Sequence, residues 1–208
     1  MQMITISRQF GAGGAALAEA LVARLGWRLI DRQLVTEVAG RLRLPEEEVA
    51  ARNERVEHLS ERVGTWLCDA FPEMMLPPWP PAAVASREVA AVVEAVLTEA
   101  AREPPVIVVG HGGQCLFADR PDAFHLRLRA PLADRAARAA ARLGLTPEEA
   151  AEQARRRDAD RRLYLRSRYG RDLEDPALYH LVADTSRVPI EILAELVAGL
   201  ATRAGAGS

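Results

Sequence analysis

Apolar residues recur along this chain in two rhythms, and the alternation between them predicts the elements. Met3-Ile4-Thr5-Ile6 reads as a buried strand that runs into Gly11-Ala12-Gly13-Gly14. Leu17, Leu21 and Leu25 then share one helical face, with Gly26 where a C-terminal cap belongs. Trp27 to Asp31 predicts a short second strand ending in a carboxylate. A helix carrying Leu34, Val35, Val38 and Leu42 follows, and the proline-led, acidic Pro45-Glu46-Glu47-Glu48 starts another. Val49, Val56, Leu59 and Val63 continue it as a narrow stripe.

Residues 64–81 break the rhythm, because Pro77, Pro78, Pro80 and Pro81 suit neither a helix nor a central strand. With Trp66, Phe71, Met74, Met75 and Trp79 they predict a loop with apolar anchors. From Ser86 a helix resumes through Val89, Val92, Val93, Val96, Leu97 and Ala100. Val106-Ile107-Val108-Val109 is apolar throughout, as suits a strand buried on both faces. Phe124 to Arg129 alternates and predicts a strand nearer the sheet edge, feeding a helix at Pro131. Thr146-Pro147-Glu148-Glu149 is a capping box with proline at the first helical position. Asp175-Pro176 starts a turn, Tyr179 to Ala183 a last strand, and Pro189 a closing helix.

Strands alternating with helices predict an α/β, three-layer domain with a parallel sheet of about five strands. No internal repeat is present, and residues 1–208 read as a single domain. In such sheets ligands bind at the carboxyl ends of the strands. Four predicted strand ends offer the glycine loop, Asp31, Gly110-His111 and Asp184-Thr185, which would converge on one crevice.

Composition narrows the chemistry. The chain has no lysine; all 27 basic residues are arginine. A net charge of −2 argues against a general nucleic-acid coat. Cys68 and Cys115 lie in no metal-ligand spacing, which fits a reducing, cytoplasmic setting. No apolar run approaches the roughly 20 residues needed to span a bilayer, and none resembles a signal peptide.

A glycine turn between a strand and a helix presents free N–H groups and the helix dipole to an anion. Against the pattern G-x-x-x-x-G-K-[ST], Arg8 stands at the first glycine, Gly13 at the second, Gly14 at the lysine and Ala15 at the hydroxyl residue. The backbone nest survives that exchange; the two side chains that touch phosphate and metal do not. A plain strand-to-helix connection would read the same way. The second constellation is residues 155–171, where eight arginines against Asp158 and Asp160 give a local charge of +6. At helical spacing Arg157, Arg161 and Arg168 share a side, with Asp158 placed to pair with Arg162. Guanidinium groups bind phosphate bidentately and offset charge in phosphoryl transfer, although charge runs also form solvated, ion-paired helices. Asp31 suits a ribose, a base or a metal-bound water, and equally the N-cap of the next helix. Asp184-Thr185 would serve as well to cap a turn.

Together these residues resemble the cytidylate kinase-like family of P-loop kinases, from Ile4-Thr5-Ile6-Ser7-Arg8-Gln9-Phe10-Gly11-Ala12-Gly13-Gly14 to Asp184-Thr185. Val106 to Gln114 and the segment Arg157-Asp158-Ala159-Asp160-Arg161 with Tyr164 and Tyr169-Gly170-Arg171 carry the likeness most specifically. The resemblance implies a P-loop kinase-like fold with a helical acceptor-binding insertion at 41–100 and an arginine-rich lid at 147–172. It implies ATP and Mg²⁺ as cofactors and a small nucleotide, CMP or dCMP first, as acceptor. Gly11, Ala12, Gly13, Gly14 and Ala15 would cradle the donor phosphates, and Asp31, Gly110, His111, Gln114 and Asp158 would face the acceptor. Arg157 and Arg161 would close over the transferring group, with either Arg8 or a lid arginine compensating for the arginine that the family usually carries where His111 stands. Two other expectations stay open: a nucleotide sensor with weakened catalysis, and a kinase for another small acceptor. The 49–63 stripe and the 66–79 loop make a homodimer conceivable.

Overall fold

The computed structural model of the protein describes residues 1–30 and 87–205. The predicted elements between 31 and 86, with Asp31 and the proposed dimer stripe and loop, lie outside them. Five strands form one parallel sheet: β1 (Met3–Arg8), β2 (Arg28–Ile30), β3 (Val106–Val109), β4 (Ala123–Arg129) and β5 (Leu181–Asp184), in the order β2-β3-β1-β4-β5. The helices are α1 (Gly14–Leu25), α2 (Arg87–Ala100), α3 (Gly113–Leu116), α4 (Leu132–Leu143), α5 (Pro147–Tyr169) and α6 (Ile190–Gly205). Among the described residues no helix is long and apolar enough to cross a membrane.

All six residues of β1 are buried, as the central position demands. Ile4, Ile6, Ile107, Val109, Leu126, Leu128 and Ala183 project to one face and pack under Leu17, Ala18 and Leu21 of α1 and Leu193, Ala194 and Val197 of α6. On the other face Met3, Val106, Val108 and Ala123 meet Val93, Leu97 and Ala100 of α2. That second face turns polar toward the carboxyl ends, where Thr5, Ser7, His125 and Arg127 are all buried. The change from apolar to polar along the same strands locates the working end of the sheet.

Local signals set the element ends. Gly26, Gly144 and Gly170 cap α1, α4 and α5 in the left-handed conformation. The Thr146 hydroxyl accepts the Glu149 N–H at 3.2 Å while the Glu149 carboxylate takes the Thr146 N–H at 2.8 Å, completing the predicted capping box. The expected lid is thus one 23-residue helix, joined to α4 through Ala136, Ala139, Ala150 and Ala154 around a fully buried Phe10.

Some expectations change. The strand at Phe124–Arg129 lies next to the edge, as expected, but is not itself exposed there: it pairs with β1 on one side and the edge strand β5 on the other. Its alternation misleads because His125 and Arg127 are buried polar residues, not solvent-facing ones. The last strand starts at Leu181, since Tyr179 turns inward toward Ser7. Asp158 pairs with Arg135 and Arg161, not Arg162, because its side of α5 faces the body of the protein.

Candidate functional site

The site is built from two glycine turns, after β1 and after β3, with Arg8 between them. Gly11 and Gly13 have φ of 74° and 84°, in the left-handed region. A Cβ on Gly11 would also collide with the Arg135 carbonyl. Within the described residues the N–H groups of Gly13, Gly14, Ala15 and Ala16 donate to no main-chain carbonyl; the first bond of α1 is Leu17 N–H to Gly13 O at 3.0 Å. Four N–H groups at the head of a 12-residue helix form an anion cradle. Ala12 is buried in the core and holds the turn through its N–H to the Gln9 carbonyl, 3.2 Å.

The turn after β3 bends more sharply. Gly110, His111 and Gly112 adopt φ of 84°, 55° and 69° in succession, and His111 is the single non-glycine with positive φ among the described residues. A β-carbon there is strained unless surrounding contacts hold it.

Arg8 connects the two turns. A Cβ on Gly14 would lie 2.8 Å from Arg8 Cγ, and a Cβ on Gly110 would collide with Arg8 Nη1. The arginine stem therefore rests on one glycine and its guanidinium on the other, with the residue only 4% exposed. Both glycines are small because this side chain passes over them. Burial and then the Arg8 charge push the His111 imidazole down to about 3. His111 stays neutral at physiological pH and leaves the positive charge of this corner to Arg8.

Beneath the first turn, Asp158 of α5 accepts the Phe10 N–H at 2.8 Å. Arg135 Nη1 donates to the other Asp158 oxygen at 2.8 Å and to the Phe10 carbonyl at 2.9 Å. Arg161 Nη1 donates to the Arg8 carbonyl at 3.1 Å and to Asp158 at 3.4 Å. Both members of the Arg135–Asp158 pair are buried, so each satisfies the other's charge. Asp158 is occupied by these bonds as a brace between α5 and the loop. Arg157, one residue away, is also buried.

The polar face carries a second cluster. Arg127 Nη1 donates to Ser7 Oγ at 3.2 Å and Nη2 to the Glu174 carboxylate at 2.5 Å. Its guanidinium lies 5.6 Å above the Tyr179 ring. Gln114 donates to the Tyr179 hydroxyl at 3.4 Å, which itself donates to the Leu173 carbonyl at 2.9 Å. Gln114 thus joins an internal network behind the turn. Arg168 and Tyr169, at the end of α5, both bond Glu94 of α2. That arginine side chain and the Arg168–Glu94 charge hold the Glu94 carboxyl below its ordinary range against the cost of burial.

The structure brings Arg8, Gly14, Gly110, His111, Asp158 and Arg161 into one region, with Gly11, Gly13 and Ala15 beside them. Asp184 stands apart as a turn cap, accepting from the Ser186 N–H at 3.0 Å and hydroxyl at 2.6 Å. Thr185 is held by Arg138 at 2.9 Å. Arg135, Arg127 and Glu94 were missed by sequence reasoning. Arg135 alone left a trace, sharing the buried side of α4 with Ala136 and Ala139.

Comparison with known proteins bears on the fold and the family. A cytidylate kinase of Ignicoccus hospitalis is 26% identical over 197 residues, 95% of this chain and 97% of that protein. A cytidylate kinase of Sulfolobus acidocaldarius is 35% identical over 98 residues, 47% of this chain and 53% of that protein. Among solved structures, an uncharacterized protein from Eubacterium ventriosum superposes with a TM-score of 0.69 at 15% identity, covering 97% of this chain and 99% of that one. Shikimate kinase from Acinetobacter baumannii reaches 0.51 at 15% identity, with 96% and 92% covered, so the fold is that of the P-loop kinases. The family model described as "Cytidylate kinase-like family" matches residues 3–187, and the chain belongs to that family.

Proposed function

We propose that the chain transfers the terminal phosphoryl group of ATP to a small nucleotide, with CMP or dCMP the first acceptor to test. The observation that carries this reading is Arg8, whose side chain runs from the phosphate turn to the acceptor turn. It supplies, without lysine, a fixed positive charge between donor and acceptor. The N–H groups of Gly13, Gly14, Ala15 and Ala16 would bind the donor phosphates. Arg157 and Arg161 would offset the charge spreading over the transferred group. An acceptor phosphate oxygen attacks the γ-phosphorus, the bond to the β–γ bridging oxygen breaks, and ADP leaves with that electron pair.

ATP would arrive as its Mg²⁺ complex. Among the described residues no three His, Cys, Asp or Glu side chains gather to hold a metal, and Ala15 stands where a hydroxyl would face one. Those described residues do not fit a protein-held ion, so the ion would enter with the ATP phosphates. Asp31 and the 41–100 insertion would face the acceptor in this reading.

One observation favours a second reading. His111 is buried and neutral, so this turn gives an acceptor phosphate no cation of its own. A sensor that binds nucleotide without transferring phosphate would tolerate that. ADP release from ATP across a panel of nucleoside monophosphates separates the two: turnover stimulated by one acceptor supports the kinase. Protein that binds ATP yet releases no ADP with any of them supports the sensor.

A further inference from the structure

Helix α5 touches both glycine turns, but through different halves. Near its middle, Asp158 and Arg161 bond the Phe10 N–H and the Arg8 carbonyl of the first turn. Toward its end, Leu165 and Tyr169 lie on the second: a Cβ on Gly112 would sit 2.6 Å from Tyr169 Cε2 and 3.4 Å from Leu165 Cδ1. Gly112 follows His111, whose positive φ needs surrounding contacts to hold it. The Tyr169 ring supplies one of those contacts. Yet Tyr169 is the last residue of α5, where a helix frays unless a tertiary contact ties it down.

That tie is Glu94 of α2. Its Oε1 accepts the Tyr169 hydroxyl at 2.7 Å and Arg168 Nε at 2.8 Å, and Arg168 Nη2 donates to its other oxygen. Arg168 holds the carboxyl below its ordinary range, so it is ionised at neutral pH. A charged acceptor makes such bonds shorter and stronger than neutral ones. Burial first, and then Tyr164, push the Tyr169 hydroxyl above its ordinary range, so it keeps its proton and donates. The Glu94 side chain is 17% exposed, which shields the tie from the screening that weakens surface pairs. We propose that Glu94 is a positioning residue for the acceptor turn: it seats Tyr169 on Gly112 and so fixes the Gly110-His111-Gly112 backbone against Arg8. Its effect on an acceptor rests on the phosphoryl-transfer reading; its hold on the turn does not.

Amide hydrogen exchange of the whole chain, followed by NMR, reads the link without substrate. The Gly113 N–H donates to the Gly110 carbonyl, and the Cys115 and Leu116 N–H groups to that of Gly112, so all three report on the second turn. The Ala12 and Leu17 N–H groups report on the first turn in the same way. Glu94→Gln keeps the shape and removes the charge. Exchange at Gly113, Cys115 and Leu116 should then quicken about tenfold or more, while that at Ala12 and Leu17 holds. Tyr169→Phe should do the same in part. The two changes together should add little to Glu94→Gln alone, because both cut one chain of contacts. In steady-state kinetics the acceptor KM should rise about tenfold with the ATP KM unchanged. Exchange that is unmoved, or that quickens equally in both turns, overturns the proposal and reduces Glu94 to a general stabiliser. Quicker exchange with an unchanged acceptor KM overturns it as well. A chain without turnover on any nucleoside monophosphate overturns the phosphoryl-transfer reading, and the exchange then decides the link by itself. Should Glu94→Gln not fold, Tyr169→Phe decides through the same two readings.

Discussion

Two glycine turns close two neighbouring strands, and they do opposite things with the same residue. The turn after β1 uses glycine to free backbone: it opens a 12-residue helix whose first N–H groups have no main-chain acceptor. The turn after β3 uses glycine to admit side chains. Its helix is only four residues long, Arg8 lies on Gly110, and a Cβ on Gly112 would sit 2.6 Å from the Tyr169 ring. One turn leaves backbone N–H groups open, the other seats the protein's own side chains. A Gly-x-Gly pattern therefore marks a close approach, and what approaches depends on the elements packed around it.

The largest expected effect breaks the support of the first turn. Asp158→Ala leaves Arg135 buried without its counter-charge and the Phe10 N–H without its acceptor, and should cost about 3–5 kcal/mol of stability. Urea unfolding measures it, and a loss under about 1 kcal/mol would reduce the brace to a surface contact. Next is the link between the turns. Arg8→Met keeps the stem over Gly14 and removes the charge, so phosphoryl transfer should fall roughly 10²–10³-fold with little change in the melting curve. Equal turnover would separate Arg8 from the chemistry.

The two turns can then be set against each other. Gly110→Ala should cost about 1–2 kcal/mol in the left-handed region, in addition to displacing the guanidinium. Gly14→Ala, in helical backbone against a flexible side chain, should cost less stability, while both lower turnover by moving Arg8. His111→Arg restores a cation to the second turn and should tighten acceptor binding about tenfold, read as a lower acceptor KM; a sensor would show no turnover in either form.

The smallest effect is on pH dependence. His111 is held near 3 by burial and Arg8, and His125 near 4 by burial and His180. Both are lower than in the unfolded chain, near 6.5, so below that pH the unfolded state binds more protons. Stability should be full above about pH 6.5 and decline as pH falls toward 3 to 4, by at most about 1.4 kcal/mol per pH unit for each histidine. His125→Gln should flatten part of that slope in unfolding experiments between those limits.

Much of the fold was legible because its signals are local. Val106–Val109 is apolar at every position and lies between two strands. Thr146, Pro147 and Glu149 announce the start of α5, and Gly26 the end of α1. The positions of the candidate site's glycines and arginines were legible, but not its wiring. Arg127 reads as an outward residue of an alternating strand, yet it is buried because Ser7, Glu174 and Tyr179 give its charge somewhere to go. Asp158 reads as a partner for Arg162 one turn on; its true partner, Arg135, is on another helix. Burial of a charge depends on its counter-charge, and nothing in the spacing along one helix names a counter-charge on the next.

By itself the sequence determined the parallel α/β class, the glycine turns, the capped arginine helix and the absence of lysine, since each follows from residue type and spacing over a few positions. The tertiary structure alone decided that Arg8 spans Gly14 and Gly110, that His111 is neutral, and that Asp158 braces the loop. Those outcomes depend on desolvation and on charges brought together from distant segments, which exist only once the chain has packed.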